Sequence, residues 1–483
     1  MKRISIVILC LMVLEGYSQD IHSYFEKIRT NEAELTAFIA QMPKGGDLHH
    51  HYSGSVYAET YISYVVSQDY WIHRKTLEVL SLKPDGDRNW TRFSSLEKDG
   101  LLQSYKEKLF RKWSVKDYNP SDYPSDKLFF ETFGHFNIAS RSVQDVGLTE
   151  LKKRAQAEHV RYIETMFMGI DSRSVTLHAK EQLDERLRRM SGRHETGRLY
   201  LLMDSLYEVV MSGGGRSCAA VFNDSLQARH QRLKIDDSTF TMRYMNYVTR
   251  VMEPTDVFKA MVIAFESAHT GKLVAGVNIV APEDHETSMK DYLLHMQMFN
   301  FCHTLYPSVE ISLHAGELTT GLVKPEELTW HISEAVYTGK AMRIGHGTAV
   351  AYEHNSYGLL NYMREQGIAV EINLSSNEFI LKVKDDAHPL MLYRNFGVPV
   401  VIATDDAGIL RSSLTRQYVL LAQRYPALSY REIRSFVYNS IDYSFIRDTA
   451  LKQLVRARLD ADFRAFESTI IPASQRSEAK DHQ

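Results

Sequence analysis

Histidine and acidic side chains gather in four short stretches of this 483-residue chain. The first is Asp47-Leu48-His49-His50-His51. Residues two apart on a strand share a face, so His49 and His51 project together while His50 points away. Two imidazoles converging at a strand end are a natural pair of metal ligands, although a solvated histidine cluster gives the same pattern. The second is Ser312-Leu313-His314-Ala315-Gly316-Glu317. Its Ala-Gly pair allows a sharp turn that brings Glu317 over whatever His314 touches. The plainer alternative is a core histidine followed by an acid at a helix start. The third, Arg343-Ile344-Gly345-His346-Gly347-Thr348, sets a histidine between two glycines, a relief from crowding that a bound group would need. The last is Val401-Ile402-Ala403-Thr404-Asp405-Asp406-Ala407-Gly408. Adjacent carboxylates after a buried apolar strand are costly unless paired or coordinated to a metal. Helix capping accounts for one of Asp405 and Asp406 but not both.

Such side chains can meet only if the elements that carry them end on one face. The runs that read as strands are Gly46–His51, Val160–Phe167, Ala260–Phe265, Val274–Ile279, Glu310–His314, Arg343–His346, Ala369–Asn373 and Pro399–Thr404. Eight strands separated by helical stretches imply parallel βα units. An α/β (β/α)8 TIM barrel is the simplest closure, with all four motifs at its C-terminal face. Residues Ile21 to Ala40 read as one N-terminal helix, within a segment spanning 19–41. The barrel domain then covers 42–470, with insertions at about 52–127 and 171–199. The first insertion follows strand one, carries Trp71, Trp90 and Trp113, and suggests a lid over the active face. The stretch from Leu414 to Phe466 reads as a helical C-terminal extension and 471–483 as a flexible tail.

Composition narrows the function classes. The chain is 44% hydrophobic with a net charge of -3, so it can bury a large core and shows neither a basic nucleic-acid groove nor a polybasic membrane patch. Residues 1–18 read as a signal peptide: Met1-Lys2-Arg3 is basic, an apolar run follows to Leu14, and small and polar residues end it. That run is too short for the ~20 residues of a membrane span, so the protein is expected to be exported, periplasmic or secreted. Beyond Cys10 only Cys218 and Cys302 remain, which could pair but form no disulfide framework.

Together the four motifs resemble the adenosine deaminase family within the amidohydrolase superfamily. The likeness runs from Met42-Pro43-Lys44-Gly45-Gly46 to Asp405-Asp406 and weakly on to Tyr443-Ser444-Phe445. The Met-Pro-Lys-Gly opening and export signal look like that family's secreted branch. The resemblance implies one Zn2+ per chain held by His49, His51, His314 and Asp405, with His346 orienting the attacking water rather than ligating. It implies Glu317 as proton donor to purine N1, which requires a carboxyl kept protonated. It makes Asp406 a partner of N7, and His346, Glu317 and Asp406 the catalytic set. Substrate contacts would come from His51, Ser53, Ala281 and Asp406. The implied reaction is hydrolytic deamination of adenosine or deoxyadenosine, or of another 6-aminopurine such as adenine or a modified nucleoside.

Several positions depart from the family pattern. Ser53 stands where many members have Asp, Asn278 and Ala281 replace an Asp and a Gly of the fourth-strand motif, and Glu371–Asn377 lacks a frequent Cys-Pro. These are expected to affect sugar recognition and to leave the metal and the proton donor untouched. Two rival readings are a two-metal ester or amide hydrolase, for which no bridging lysine stands at a strand end, and a purine-binding protein without turnover.

Overall fold

The computed structural model describes residues 21–478, so the segments read as a signal peptide and the end of the tail lie outside the described residues. Eight parallel strands form one sheet: β1 (Gly45–His51), then, after three short strands outside the barrel, β5 (Val160–Met166), β6 (Thr241–Thr249), β7 (Val274–Val280), β8 (Glu310–Ala315), β9 (Arg343–His346), β10 (Ala369–Ile372) and β11 (Val400–Ile402). Their spatial order follows the sequence, as right-handed βα repeats demand. The ring closes through a parallel bridge from His50 to Asp405. There Asp405 N–H donates to His49 O at 2.8 Å and His51 N–H to Asp405 O at 3.1 Å. One turn below, the Thr404 hydroxyl donates to Asp47 at 2.6 Å. The result is a nearly closed (β/α)8 barrel with extra helices and a helical C-terminal extension.

Seven of the eight expected strands are present, and one is misplaced. Ala260–Phe265 lies within the helix Pro254–Thr270, and the third barrel strand is Thr241–Thr249. A short apolar run does not separate a buried helix from a buried strand by periodicity. Here the helix is buried nearly all round, with Met261 to Phe265 all within the core. The true strand was disguised by Arg243 and Asn246, both polar. The N-terminal segment is two helices rather than one. Helical residues 21–28 are followed by a second helix, Glu32–Gln41, capped by Asn31, whose side chain accepts from Ala33 and Glu34 N–H groups. The last helix, Thr449–Glu478, runs on through most of the stretch read as a tail.

The first insertion folds into short helices and a three-stranded antiparallel sheet, β2 (Trp71–His73), β3 (Val79–Leu80) and β4 (Trp90–Arg92). The second insertion contains the helix Lys180–Gly192. Cys218 and Cys302 are both free. Among the described residues no helix is long and apolar enough to cross a membrane.

Barrel interiors are usually filled by branched apolar side chains. This one carries an ionic trio instead. The Arg343 guanidinium on β9 bonds Glu164 on β5 at 2.6 Å and Glu371 on β10 at 2.5 Å, and its face lies 3.6 Å from the Phe445 ring centroid. All three charged groups are buried. Tyr162 hydroxyl and Phe445 N–H complete Glu164, so the charges are paired and hydrogen-bonded, as burial requires.

Candidate metal centre

The C-terminal strand ends carry the expected side chains into one place. His49 and His51 leave β1, His314 leaves β8, His346 ends β9 and Asp405 follows β11. His51 Nε2 lies 3.1 Å from His314 Nε2 and 3.2 Å from Asp405 Oδ1, and His49 Nε2 is 3.4 Å from the same oxygen. His50 faces the other way, with Nδ1 3.0 Å from Thr165 Oγ1. His346 and Asp405 adopt left-handed φ values of 68° and 61°. Such strain costs about 1–3 kcal/mol per residue and persists where the surroundings enforce it. The glycines make room: a Cβ at Gly345 would sit 2.6 Å from His49 Cε1, and one at Gly54 would sit 1.6 Å from Asp406 Oδ1.

Hydrogen bonds behind the rings determine which nitrogens face inward. His49 Nδ1 is 2.6 Å from the Glu371 carboxylate, an acceptor, so in the neutral ring Nδ1 carries the proton and Nε2 presents the lone pair. That Nε2 is buried with no hydrogen-bond partner. Asn278 Oδ1 accepts from the backbone N–H groups of Ile279 and His314, which fixes it as the oxygen. It therefore also accepts from His314 Nδ1–H at 3.0 Å, leaving His314 Nε2 as a lone pair. Burial opposes protonation of His49, but with no ion at the centre the Asp405 and Glu371 carboxylates outweigh it and raise its pKa to about 10, so Nε2 then holds a proton that a bound cation would displace to take the lone pair. Asp405 is held well below its usual range: burial opposes this, and the neighbouring His49, His51 and His346 side chains prevail. Donor atoms of His49, His314, His346 and Asp405 lie within 4.8 Å of one another, as do those of His51, Asp405 and Asp406. Inward lone pairs, an orphaned buried nitrogen and an ionised carboxylate fit a single Zn2+ or similar divalent ion.

Two carboxyls beside this centre differ from Asp405. Burial, then the Asp405 and Glu283 charges, push Glu317 well above the usual carboxylate range. Glu283 also fixes its backbone, accepting from Glu317 N–H at 2.7 Å and Gly316 N–H at 3.1 Å. Burial, then Asp405, raises Asp406 as well, and its Oδ1 has no hydrogen-bond partner. Both groups face a cavity of about 410 Å³, together with His51, Ser53, Ala281, His314, His346 and Asp405. Its outer wall is aromatic, built from Phe129, Phe130 and Phe133 on the helix Ser125–Ser140. No lysine or arginine is among the residues lining it, and neither is Trp71, Trp90 or Trp113. The wall therefore comes from the helix that begins at the end of the first insertion, and the start of the insertion contributes Ser53.

Of the departures from the family pattern, Asn278 reaches a metal-ligand side chain, contrary to the expectation from sequence. Asn278 and Glu371 support His314 and His49, and Asn377 lies 2.9 Å from His346 Nδ1. Glu371 had a visible signal, a carboxylate inside an apolar strand, which is expensive unless partnered.

Comparison with known proteins agrees with this geometry. An amidohydrolase from B. ambifaria, crystallised with bound Zn, shares the fold at a TM-score of 0.56 and 15% identity, over 91% of this chain and 94% of that one. A human (Homo sapiens) N6-methyl-AMP deaminase is 32% identical over 114 residues, 23% of this chain and 32% of that protein. An aminodeoxyfutalosine deaminase from Streptomyces avermitilis is 34% identical over 148 residues, 30% of this chain and 38% of that protein. The matches to these two deaminases span 32% and 38% of the relatives' own length. The family model described as adenosine deaminase matches residues 215–461, more than half of the chain, and takes in His314, Glu317, His346 and both aspartates. With those residues converging on one centre at the barrel mouth, the chain belongs to the adenosine deaminase family.

Proposed function

We propose that the protein hydrolyses the exocyclic amino group of a 6-aminopurine, releasing ammonia and leaving the 6-oxo purine, with phosphate-free nucleosides such as adenosine or deoxyadenosine as the preferred substrates. The observation that carries the reading is one cavity holding a metal-ligand cluster beside two buried carboxyls, Glu317 and Asp406, whose pKa values burial and the Asp405 charge push well above the usual carboxylate range. Ring nitrogens N1 and N7 are lone-pair acceptors, so a carboxyl that bonds either must donate a proton. Glu317 can give its proton to N1 as C6 is attacked, while Asp406 donates to N7 and fixes the ring plane. The Glu283 contacts to Gly316 and Glu317 N–H hold that donor in place. A divalent ion held by His49, His51, His314 and Asp405 would supply hydroxide at neutral pH by lowering the pKa of water toward ~7.

The wall favours an uncharged substituent. A phosphate needs cationic or multiple N–H partners, and the lining offers three phenylalanines and no lysine or arginine. The volume lies within the ~300–1,000 Å³ typical of small-molecule sites. The test is ammonia release by zinc-loaded protein from adenosine, deoxyadenosine, adenine and N6-methyl-AMP. Turnover of the nucleosides with little on the nucleotide is expected. Turnover of none removes the deaminase reading, and a preference for the nucleotide removes the argument from the wall. The secreted branch and export remain part of this proposal. Export rests on residues 1–18, and the secreted branch on these together with Met42-Pro43-Lys44-Gly45. Fractionation of cells expressing the full chain tests export, and retention of an uncleaved N-terminus in the cytoplasm would contradict it.

A further inference from the structure

His346 belongs to the cluster by distance, yet the hydrogen bonds behind it run opposite to those behind His49 and His314. The backbone N–H of Leu390 donates to His388 Nδ1 at 3.1 Å. A backbone N–H cannot reverse its role, so that nitrogen is unprotonated and the His388 proton sits on Nε2. His388 Nε2 lies 3.0 Å from Asn377 Oδ1, so it donates there. The amide orientation follows: Asn377 Nδ2 is the end 2.9 Å from His346 Nδ1, and it donates. Asn373 Nδ2 stands at 3.5 Å from the same nitrogen. His346 Nδ1 is thereby an acceptor, and its proton is on Nε2. That N–H points into the cavity, 3.6 Å from Glu317 Oε1 and 3.9 Å from Asp405 Oδ2. His388, Asn377 and His346 are all at most 3% exposed, so water does not compete within the chain of bonds.

We propose that Leu390 N–H, His388 and Asn377 form a polarity-setting relay that locks His346 as an Nε2–H donor, excluding it from the metal-ligand set and from the role of general base. His388 and Asn377 are positioning residues: they act through His346 and touch no substrate. The sorting is complete across three rings. Acceptors behind His49 and His314 turn lone pairs inward, and a donor behind His346 turns a proton inward. The tautomer stands on the geometry alone, while its effect on turnover rests on the proposed deaminase reading.

The experiment is long-range ¹H–¹⁵N NMR of the metal-free protein labelled at the histidine imidazoles, with the His346 signals assigned by their loss in His346→Gln. The wild type should show a protonated Nε2 and an unprotonated Nδ1. In Asn377→Asp an acceptor replaces the donor, and the His346 proton should move to Nδ1. Zinc-loaded Asn377→Asp should then lose roughly 100- to 10,000-fold in kcat with KM changed little, the range for misdirected imidazoles. Should Asn377→Asp not fold, His388→Gln and His388→Leu replace it. Glutamine can still donate to Asn377 and should keep the wild-type spectrum, whereas leucine frees the amide and should give both tautomers. An Nδ1–H or doubly protonated His346 in the wild type, or an unchanged spectrum in both Asn377→Asp and His388→Leu, overturns the relay. A correct tautomer shift in protein that deaminates no purine would leave the relay standing and remove the deaminase reading instead.

Discussion

Glu371→Gln removes a charge from the middle of the barrel while keeping its shape. Glu371 is fully buried, accepts from His49 Nδ1 at 2.6 Å and Ser312 Oγ at 3.0 Å, and receives Arg343 Nε at 2.5 Å. Burial alone would raise its pKa, but Arg343 and His49 outweigh it and lower it from 4.5 to about 2. A depressed carboxylate contributes stability above its unfolded pKa and loses it as pH falls through the folded value. The window is therefore about pH 4.5 down to about pH 2, and the contribution is fully present at pH 7. A lowering from 4.5 to about 2 corresponds to roughly 3 kcal/mol, which matches the ~3–5 kcal/mol for removing one partner of a buried pair. The His49 shift reports the same contact from its other side, so it is counted once. In metal-free protein, equilibrium urea unfolding at pH 7 should show Glu371→Gln less stable by about 3 kcal/mol, with the difference shrinking as pH falls below about 4.5. Zinc affinity should drop roughly 10–100-fold as His49 loses its charged anchor. Equal unfolding curves at pH 7 together with equal zinc affinity would refute both the charge accounting and the support assigned to His49.

Three other perturbations separate the parts of the site. Glu317→Gln should keep zinc, measured by metal analysis, and lose ~10²–10⁴-fold in kcat, because an amide cannot transfer a proton to N1. Ala281 has a left-handed φ of 86° and lines the cavity; Ala281→Gly should raise stability by about 1 kcal/mol in calorimetry by releasing that strain. Gly345→Ala places a methyl 2.6 Å from His49 Cε1, and should weaken zinc binding in a chelator competition assay by at least ~10-fold, since a displaced ligand ring degrades the coordination geometry.

The chemistry was more legible in the sequence than the scaffold behind it. Histidine and acid residues after apolar runs stand out because burial penalises them, so His49, His314, His346 and Asp405 were visible one motif at a time. Glu371 acts on His49 across 322 residues of chain and Asn377 on His346 across 31, and no local pattern encodes either contact. Asn278 looked like a change in substrate recognition because only its position in a motif was visible, not the ring it faces. The third strand was hidden for a related reason. Interior polar residues such as Asn246, which donates to Ala264 O, break the apolar run that marks a buried strand, and the neighbouring helix supplies a more apolar run.

The seam of the barrel and the metal centre are the same few residues. β11 and β1 meet through backbone bonds of His49, His51 and Asp405, with Asp47 and Thr404 beneath them. Asp405 joins the seam with a left-handed backbone, so its carboxylate turns inward while its peptide groups hold β1. A parallel pair held by so few bonds would be the weakest joint of the ring. A cation gripped by side chains from both strands strengthens that joint, and binding only the closed ring stabilises it by mass action. The strain at His346 and Asp405 is tolerated because the hydrogen bonds fixing each tautomer also fix the strand ends. Stability and ligand geometry thus share one set of contacts, which is why a change as far back as Glu371 should register in both.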